Sequence, residues 1–463
     1  MPGSHERPRP RPGTRAASAA GRTASAAGRS AAAAGAAAGR SASAAGRGAA
    51  RGAGRVLRPA WKPLGGFLGP QRDDVFQSLG ALVVSALASV VAGLTLASRE
   101  DQIASFIGLL LFIPAAVGLR GNVFGPFGSR ISTAIQTGQF SWSARPDSVL
   151  GQNVVAAMVN SFAAGMGLAV VAEVFALAVT DDSAVPLSLA DFVVVSMVGG
   201  TLASLFVLLA ALGLTLASVR FGWDLDNVTA PLVTAAGDLI TLPAVVVSTV
   251  LIRRGTVTDS VAVGAAVITA VLLALLVRSQ LAEAKRAVVE SLPVLIGAGS
   301  LSLVAGVAIE AAEHRFSWVM LVLLPGYLGT SGALGGILVN RLSTKVHLGL
   351  IERSIIPKGT ARNDMGFTAL LAIPNFVFLA LVAQSVASLN GQSSPGLALL
   401  IAVVLTGGLA ATAFVLAIAY LGTLLVVRFG LDPDNLGIPM VTASLDVVGA
   451  LTLVGALSLW QVA

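Results

Sequence analysis

Long apolar runs follow one another from Val75 to the end of the chain, each close to the ~20 residues that a helix needs to cross ~30 Å of hydrocarbon. Eleven are read, at 75–97, 103–120, 149–179, 191–219, 228–251, 258–277, 288–310, 318–340, 366–388, 397–427 and 436–461. Backbone polar groups have no water to bond inside a bilayer, so spans of this length are helices. A barrel would show short alternating strands instead. With 55% hydrophobic and 11% charged residues and a mean hydropathy of +0.84, the chain reads as an all-α polytopic membrane protein rather than a soluble one. Cys 0 excludes disulfides, thiolate metal sites and cysteine nucleophiles.

Residues 1–72 differ in kind. They are an Ala/Gly/Ser/Arg-rich repetition with 13 Lys/Arg and one acid, Glu6. Such a segment cannot build a core and is expected to be a disordered basic tail at an anionic lipid surface. It has no apolar h-region of a signal peptide. Its composition also resembles an organellar transit peptide, but the regular repetition fits a low-complexity tail better. The net charge of +7 is mostly a matter of this tail and asks for no nucleic-acid partner. With the N-terminus inside, 13 basic residues from Arg120 to Arg428 fall on inner loops and helix ends, against four outside. The positive-inside rule then gives a multi-pass cell-membrane protein with a cytoplasmic N-terminus.

One stretch occurs twice. "FGWDLDNVTAPLVTAAGD" (221–238) and "FGLDPDNLGIPMVTASLD" (429–446) match at ten of eighteen positions. Earlier in each half, 114–138 and 325–349 match at eight of twenty-five: a Pro, an Arg-x-Ser-Thr and four glycines. The expectation is a tail (1–72), a first five-helix repeat (73–252), a connecting transmembrane helix (253–287) and a second five-helix repeat (288–463). Five is odd, so the extra helix restores direction. The repeats are then parallel, about a pseudo-two-fold axis along the membrane normal.

The repeated stretch carries the chemistry. Asn227, Pro231, Thr234 and Asp238 are spaced 4, 3, 4, one face of a helix, and Asn435, Pro439, Thr442 and Asp446 repeat it. Asp238 lies ten residues after Val228, roughly 15 Å deep at 1.5 Å per residue. Acidic pairs precede each helix: Asp224 with Asp226, and Asp432 with Asp434. A carboxylate at the bilayer centre costs at least ~2.5 kcal/mol and usually marks an ion path. Two such groups, with threonine and asparagine oxygens, are hard ligands and suit a largely hydrated Mg²⁺; Ca²⁺ wants more direct oxygens. A single buried Asp can instead be packing glue, a reading that the repetition weakens. The glycines of 118–128 and 329–336 read as close packing or as a helix break beside a pore. Arg130 and Arg341 read as anchors of an inner helix end, and Glu173 as a structural or lining residue.

These motifs, Gly-Asn-x(7)-Arg-x-Ser-Thr at 121–133 and Asp-x-Asp-Asn-x(3)-Pro-x(2)-Thr-x(3)-Asp at 224–238 and 432–446, resemble the MgtE/SLC41 magnesium transporters, and the duplication resembles the SLC41 branch. The resemblance covers nearly all of 73–463. It implies that the last helix of each unit lines a central pore and that Asp238 and Asp446 bind hydrated Mg²⁺. It departs in Ala333, which stands where the first half has Asn122, and in "VVGAL" after Asp446 against "LITLP" after Asp238. The soluble gating domains of MgtE do not appear in the sequence, so gating is expected from the membrane domain.

The function expected is transport of Mg²⁺ or another divalent cation across the lipid bilayer, by a pore that one chain can form. No cofactor and no enzyme activity are expected. Na⁺-coupled exchange is the alternative within the class. A metal-dependent intramembrane enzyme would need more acids on one helix and phosphate binders nearby. A carrier for an organic solute would show aromatic residues on the repeated face.

Overall fold

The computed structural model describes residues 72–461 apart from 100–101, 104, 107, 137, 144, 180–185, 222–224, 313–316, 348, 352–353, 355 and 430–432. The tail expected at 1–72 lies outside the described residues except for Arg72. Helix follows helix: α1 (Arg72–Ser98), α2 (Leu109–Gln136), α3 (Val149–Val179), α4 (Leu189–Phe221), α5 (Leu225–Ser248), α6 (Thr256–Arg278), α7 (Ala282–Ala311), α8 (Trp318–His347), α9 (Gly359–Leu389), α10 (Leu397–Arg428) and α11 (Pro433–Leu459). All 11 are long and apolar enough to cross a membrane, and no strand occurs among the described residues. The chain is a multi-pass helical membrane protein.

The described residues of 72–218 and 225–461 form one compact unit. In the end of α4, Val219–Phe221, which is not part of that unit, the Arg220 guanidinium lies 5.9 Å from the Phe221 ring centre.

Within the large unit α2 and α8 are the most buried spans and α6 the least. Val263, Val267, Val271 and Leu275 of α6 are exposed, the surface of a peripheral helix that meets lipid. The central packing joins helices far apart in the chain. α1 packs on α5 and on α8; α7 packs on α11 and on α2. These crossings are close. A Cβ added to Gly93 of α1 would stand 2.0 Å from the Val322 carbonyl oxygen, and one added to Gly306 of α7 would stand 2.0 Å from that of Leu111. Only glycine lets the backbones meet there.

The spans correct the sequence-based boundaries where polar residues face protein instead of lipid. The second span, expected at 103–120, runs Leu109–Gln136, because its Gly/Arg/Ser segment depresses hydropathy yet is buried against neighbouring helices. The glycine blocks therefore lie inside continuous helices and do not break them. Arg120, expected at an inner helix end, sits in the body of α2 and is 2% exposed. α4 contains one π-helical stretch, Val195–Gly199, directly before Gly200.

Candidate functional site

α5 and α11 both continue as helix through their prolines, Pro231 and Pro439, which are buried. The Thr-x(3)-Asp spacing then stacks Thr234 over Asp238, and Thr442 over Asp446, one turn apart. All four line one cavity of about 70 Å³, room for several waters at the ~10–15 Å³ each requires.

Each carboxylate is held from behind. Ser89 of α1 donates to Asp238 Oδ2, and Ser302 of α7 donates to Asp446 Oδ2 at 2.6 Å. Asp238 is 1% exposed, whereas Asp446 is half-buried. Each also faces a glycine of α2 or α8. A Cβ on Gly329 of α8 would stand 2.9 Å from Asp238 Oδ2, and one on Gly118 of α2 would stand 3.2 Å from Asp446 Oδ2. Gly121 and Gly332 likewise approach Thr234 and Thr442. The glycines thus clear space for the carboxylates. Asn122 of α2 completes the polar wall: its Oδ1 accepts from Thr442 Oγ1, whose other acceptors are Ile438 O at 2.9 Å and Pro439 O at 3.2 Å. Ala333 occupies the matching place on α8, so the amide is present on one side only.

The rest of the lining is apolar: Leu96, Ile113, Val117, Leu242, Leu324 and Leu328, with Pro114 and Pro325. Leu96 is near the end of α1, Ile113 and Leu324 are near the starts of α2 and α8, and Leu242 is one turn beyond Asp238. These positions cap one end of the polar segment.

Two carboxylates, two hydroxyls and an amide supply hard oxygens around a space large enough for water. No group of three or more His, Asp or Glu side chains capable of holding a metal occurs among the described residues. The side chains of Asn227, Asn435, Asp226 and Asp434, and residues Asp224 and Asp432, lie outside the described residues.

Further along α2 and α8 the two arginines pin neighbouring helices. Arg130 Nε donates to Asn153 Oδ1 of α3 at 2.6 Å. Arg341 Nε donates to Asp364 Oδ1 of α9 at 3.0 Å, while Lys345 bonds the other oxygen of Asp364. Glu173 accepts from the Leu189 amide at 3.0 Å, tying α3 to the start of α4. Sequence reading missed Ser89, Ser302, Asn153 and Asp364. Serine in an apolar run carries no signal alone; aligning α1 on α7 would have paired the two serines.

A helical membrane protein with paired carboxylates on a small cavity among its spans has the form of an ion transporter. The particular family follows from comparison. The MgtE family model, described as "Divalent cation transporter", matches residues 113–248 and 324–456, more than half of the chain, and the chain belongs to that family. Rat solute carrier family 41 member 3 is 25% identical over 393 residues, 80% of this chain and 83% of that protein. Chicken solute carrier family 41 member 2 is 25% identical over 425 residues, 85% of this chain and 72% of that protein. A solved eukaryotic MATE transporter, AtDTX14, aligns over 84% of this chain and 96% of its own at 11% identity and a TM-score of 0.33, too low to indicate a shared fold.

Proposed function

We propose that the chain conducts divalent cations, Mg²⁺ foremost, through the cavity between its halves, with Asp238 and Asp446 as shared ligands of a largely hydrated ion. The observation that carries this reading is the meeting of the two aspartates, from helices far apart in sequence, on one cavity with Thr234, Thr442 and Asn122. Carboxylates attract the dication, hydroxyl and amide oxygens accept bonds from its waters, and the glycines leave room for that water. The apolar cap at one end acts as a gate that opens by wetting.

In this reading the protein is two parallel five-helix repeats, 73–252 and 288–463, joined by a connecting helix within 253–287. Ser89–Asp238 and Ser302–Asp446, and Gly93–Val322 and Gly306–Leu111, are the pairs expected of a two-fold arrangement. One chain then forms the pore. The N-terminus is cytoplasmic in the cell membrane, on the balance of basic residues, with Arg120 now removed from the count. The acidic pairs Asp224/Asp226 and Asp432/Asp434, with Asn227 and Asn435, gather ions at the cytoplasmic mouth.

Uptake needs no second ion, because the membrane potential favours dication entry by ~4.6 kcal/mol per 100 mV, twice the one-charge value. Na⁺-coupled exchange is the competing mechanism. Mg²⁺ flux into liposomes holding the purified protein, with and without a sodium gradient, tests both. Flux lost in Asp238→Asn and in Asp446→Asn supports the shared site; flux unchanged in both refutes it. Flux that follows the sodium gradient replaces conduction by exchange.

A further inference from the structure

Arg120 stands beside the cavity, and the route just described makes no use of it. On α2 it lies between the cavity-lining Gly118 and Asn122, but its side chain leaves on the other side, toward α4. Its Cβ is 3.3 Å from where a Cβ on Gly237, the neighbour of Asp238, would stand. Nη1 donates to Gly200 O at 3.1 Å and to Ser204 Oγ, and Ser204 donates to Ser161 Oγ at 3.1 Å. Nε has no hydrogen-bond partner, and among the described residues the acceptors of this guanidinium are one carbonyl and one hydroxyl, with no carboxylate.

A guanidinium stays charged in proteins, and a buried charge without a counter-charge is costly. Two neutral acceptors do not account for it as a strut, since neutral donors would bond them at less cost. The second half does without it: the matching residue of α8 is Ser331, which donates to Tyr327 O at 3.1 Å. The Arg120 stem meets α5 at Gly237, next to Asp238, and its guanidinium turns to α4, which leaves its charge a helix width, ~10 Å, from Asp238. Across protein interior, where mobile salt does not screen, a unit charge acts over that distance.

We propose that Arg120 is a resident counter-charge for the ion site: it offsets part of the charge of the two carboxylates when the cavity is empty and opposes the dication when the cavity is filled. The opposition keeps binding weak enough for release, which conduction requires. The inference rests on the proposed ion site at Asp238 and Asp446.

The test separates charge from hydrogen bonding. Arg120→Gln keeps N–H donors for Gly200 and Ser204 but no charge; Arg120→Lys keeps the charge. Mg²⁺ concentration dependence of liposome flux and Mg²⁺ titration of the purified protein give KM, maximum rate and Kd. For Arg120→Gln the expected KM and Kd are roughly tenfold lower and the maximum rate is lower, the order of magnitude a unit charge exerts on a dication at ~10 Å. Arg120→Lys is expected to restore KM to within a factor of about three. Ser331→Arg, which adds a second charge, is expected to raise KM by about tenfold, and it carries the test if Arg120→Gln does not fold. Maximum rates that fall in both Arg120 variants with KM and Kd unchanged, or a Ser331→Arg protein with parental KM, would overturn the counter-charge. If the aspartate variants also leave flux unchanged, the ion site itself has failed; if they abolish it, the counter-charge alone has.

Discussion

On the α2 wall of the cavity Gly118 faces Asp446, and on the α8 wall Gly329 faces Asp238. Behind them Ser302 and Ser89 hold the same two carboxylates. To this depth the walls correspond residue for residue. They then part: α2 carries Arg120 and Asn122, where α8 carries Ser331 and Ala333, and Asp238 is sealed while Asp446 is half-buried. The aspartates, threonines and facing glycines of the cavity occur in pairs, and Asn122 and Arg120 do not. If the proposed ion site holds, the paired residues set what kind of ion binds and the unpaired ones set how tightly.

The strongest test of the pairing is the aspartates themselves. Losing one partner of a buried charge interaction costs on the order of 3 kcal/mol, about a hundredfold. Asp238→Asn and Asp446→Asn are each expected to lower Mg²⁺ flux by that factor, despite their different exposure. A large loss in one and none in the other would break the correspondence at its centre. The helix crossings come next. Gly93→Ala and Gly306→Ala each push a methyl to 2.0 Å from a backbone oxygen, so the helices must separate. Overpacking of this kind costs ~1–3 kcal/mol or more. Equal falls in thermal stability and in folded yield are expected from the two variants, and unequal falls would show one crossing to be looser.

Why the sequence exposed some of this and hid the rest is a matter of where signals arise. Eleven spans were legible because lipid demands length and apolarity, and the 4, 3, 4 spacing located Thr234 and Asp238 on one face. The far half of α2 was not legible: Arg130, Ser132 and the glycines look unfit for lipid, yet they face other helices. The same blindness put Arg120 at a helix end, since a charge in the body of a span is read as a boundary. Asn153 and Asp364 are different letters doing the same work for Arg130 and Arg341, so matching identities could not link them. The roles of the glycines depend on distances between helices that no single helix encodes.

Those distances sharpen the comparison at a finer level. The Cβ of Gly329→Ala would stand 2.9 Å from a carboxylate oxygen, and that of Gly118→Ala 3.2 Å. The first carboxylate is sealed and has little room to yield; the second is half-buried. Flux is expected to drop about tenfold for Gly329→Ala and about threefold for Gly118→Ala, with smaller falls in thermal stability than for Gly93→Ala and Gly306→Ala, because a carboxylate side chain can move where a backbone carbonyl cannot. Equal losses would mean that the cavity, rather than the carboxylate, absorbs the methyl.

The smallest effect belongs to the residue that only one wall has. Asn122→Ala removes the side-chain acceptor of Thr442 and leaves its hydroxyl the backbone oxygens of Ile438 and Pro439. A hydrogen bond exchanged for another of similar quality changes little, ~1 kcal/mol or less, so KM for Mg²⁺ is expected to rise by no more than about fivefold. The reciprocal variant Ala333→Asn places a second amide on the α8 wall, nearer Thr234, and is expected to lower KM by a similar small factor if the cavity accepts it. A loss in Asn122→Ala as large as that in Asp446→Asn would mean that the amide meets the ion's shell directly. The asymmetry of the two walls would then reach the ligands themselves, and the boundary between paired and unpaired residues would move one step closer to the ion.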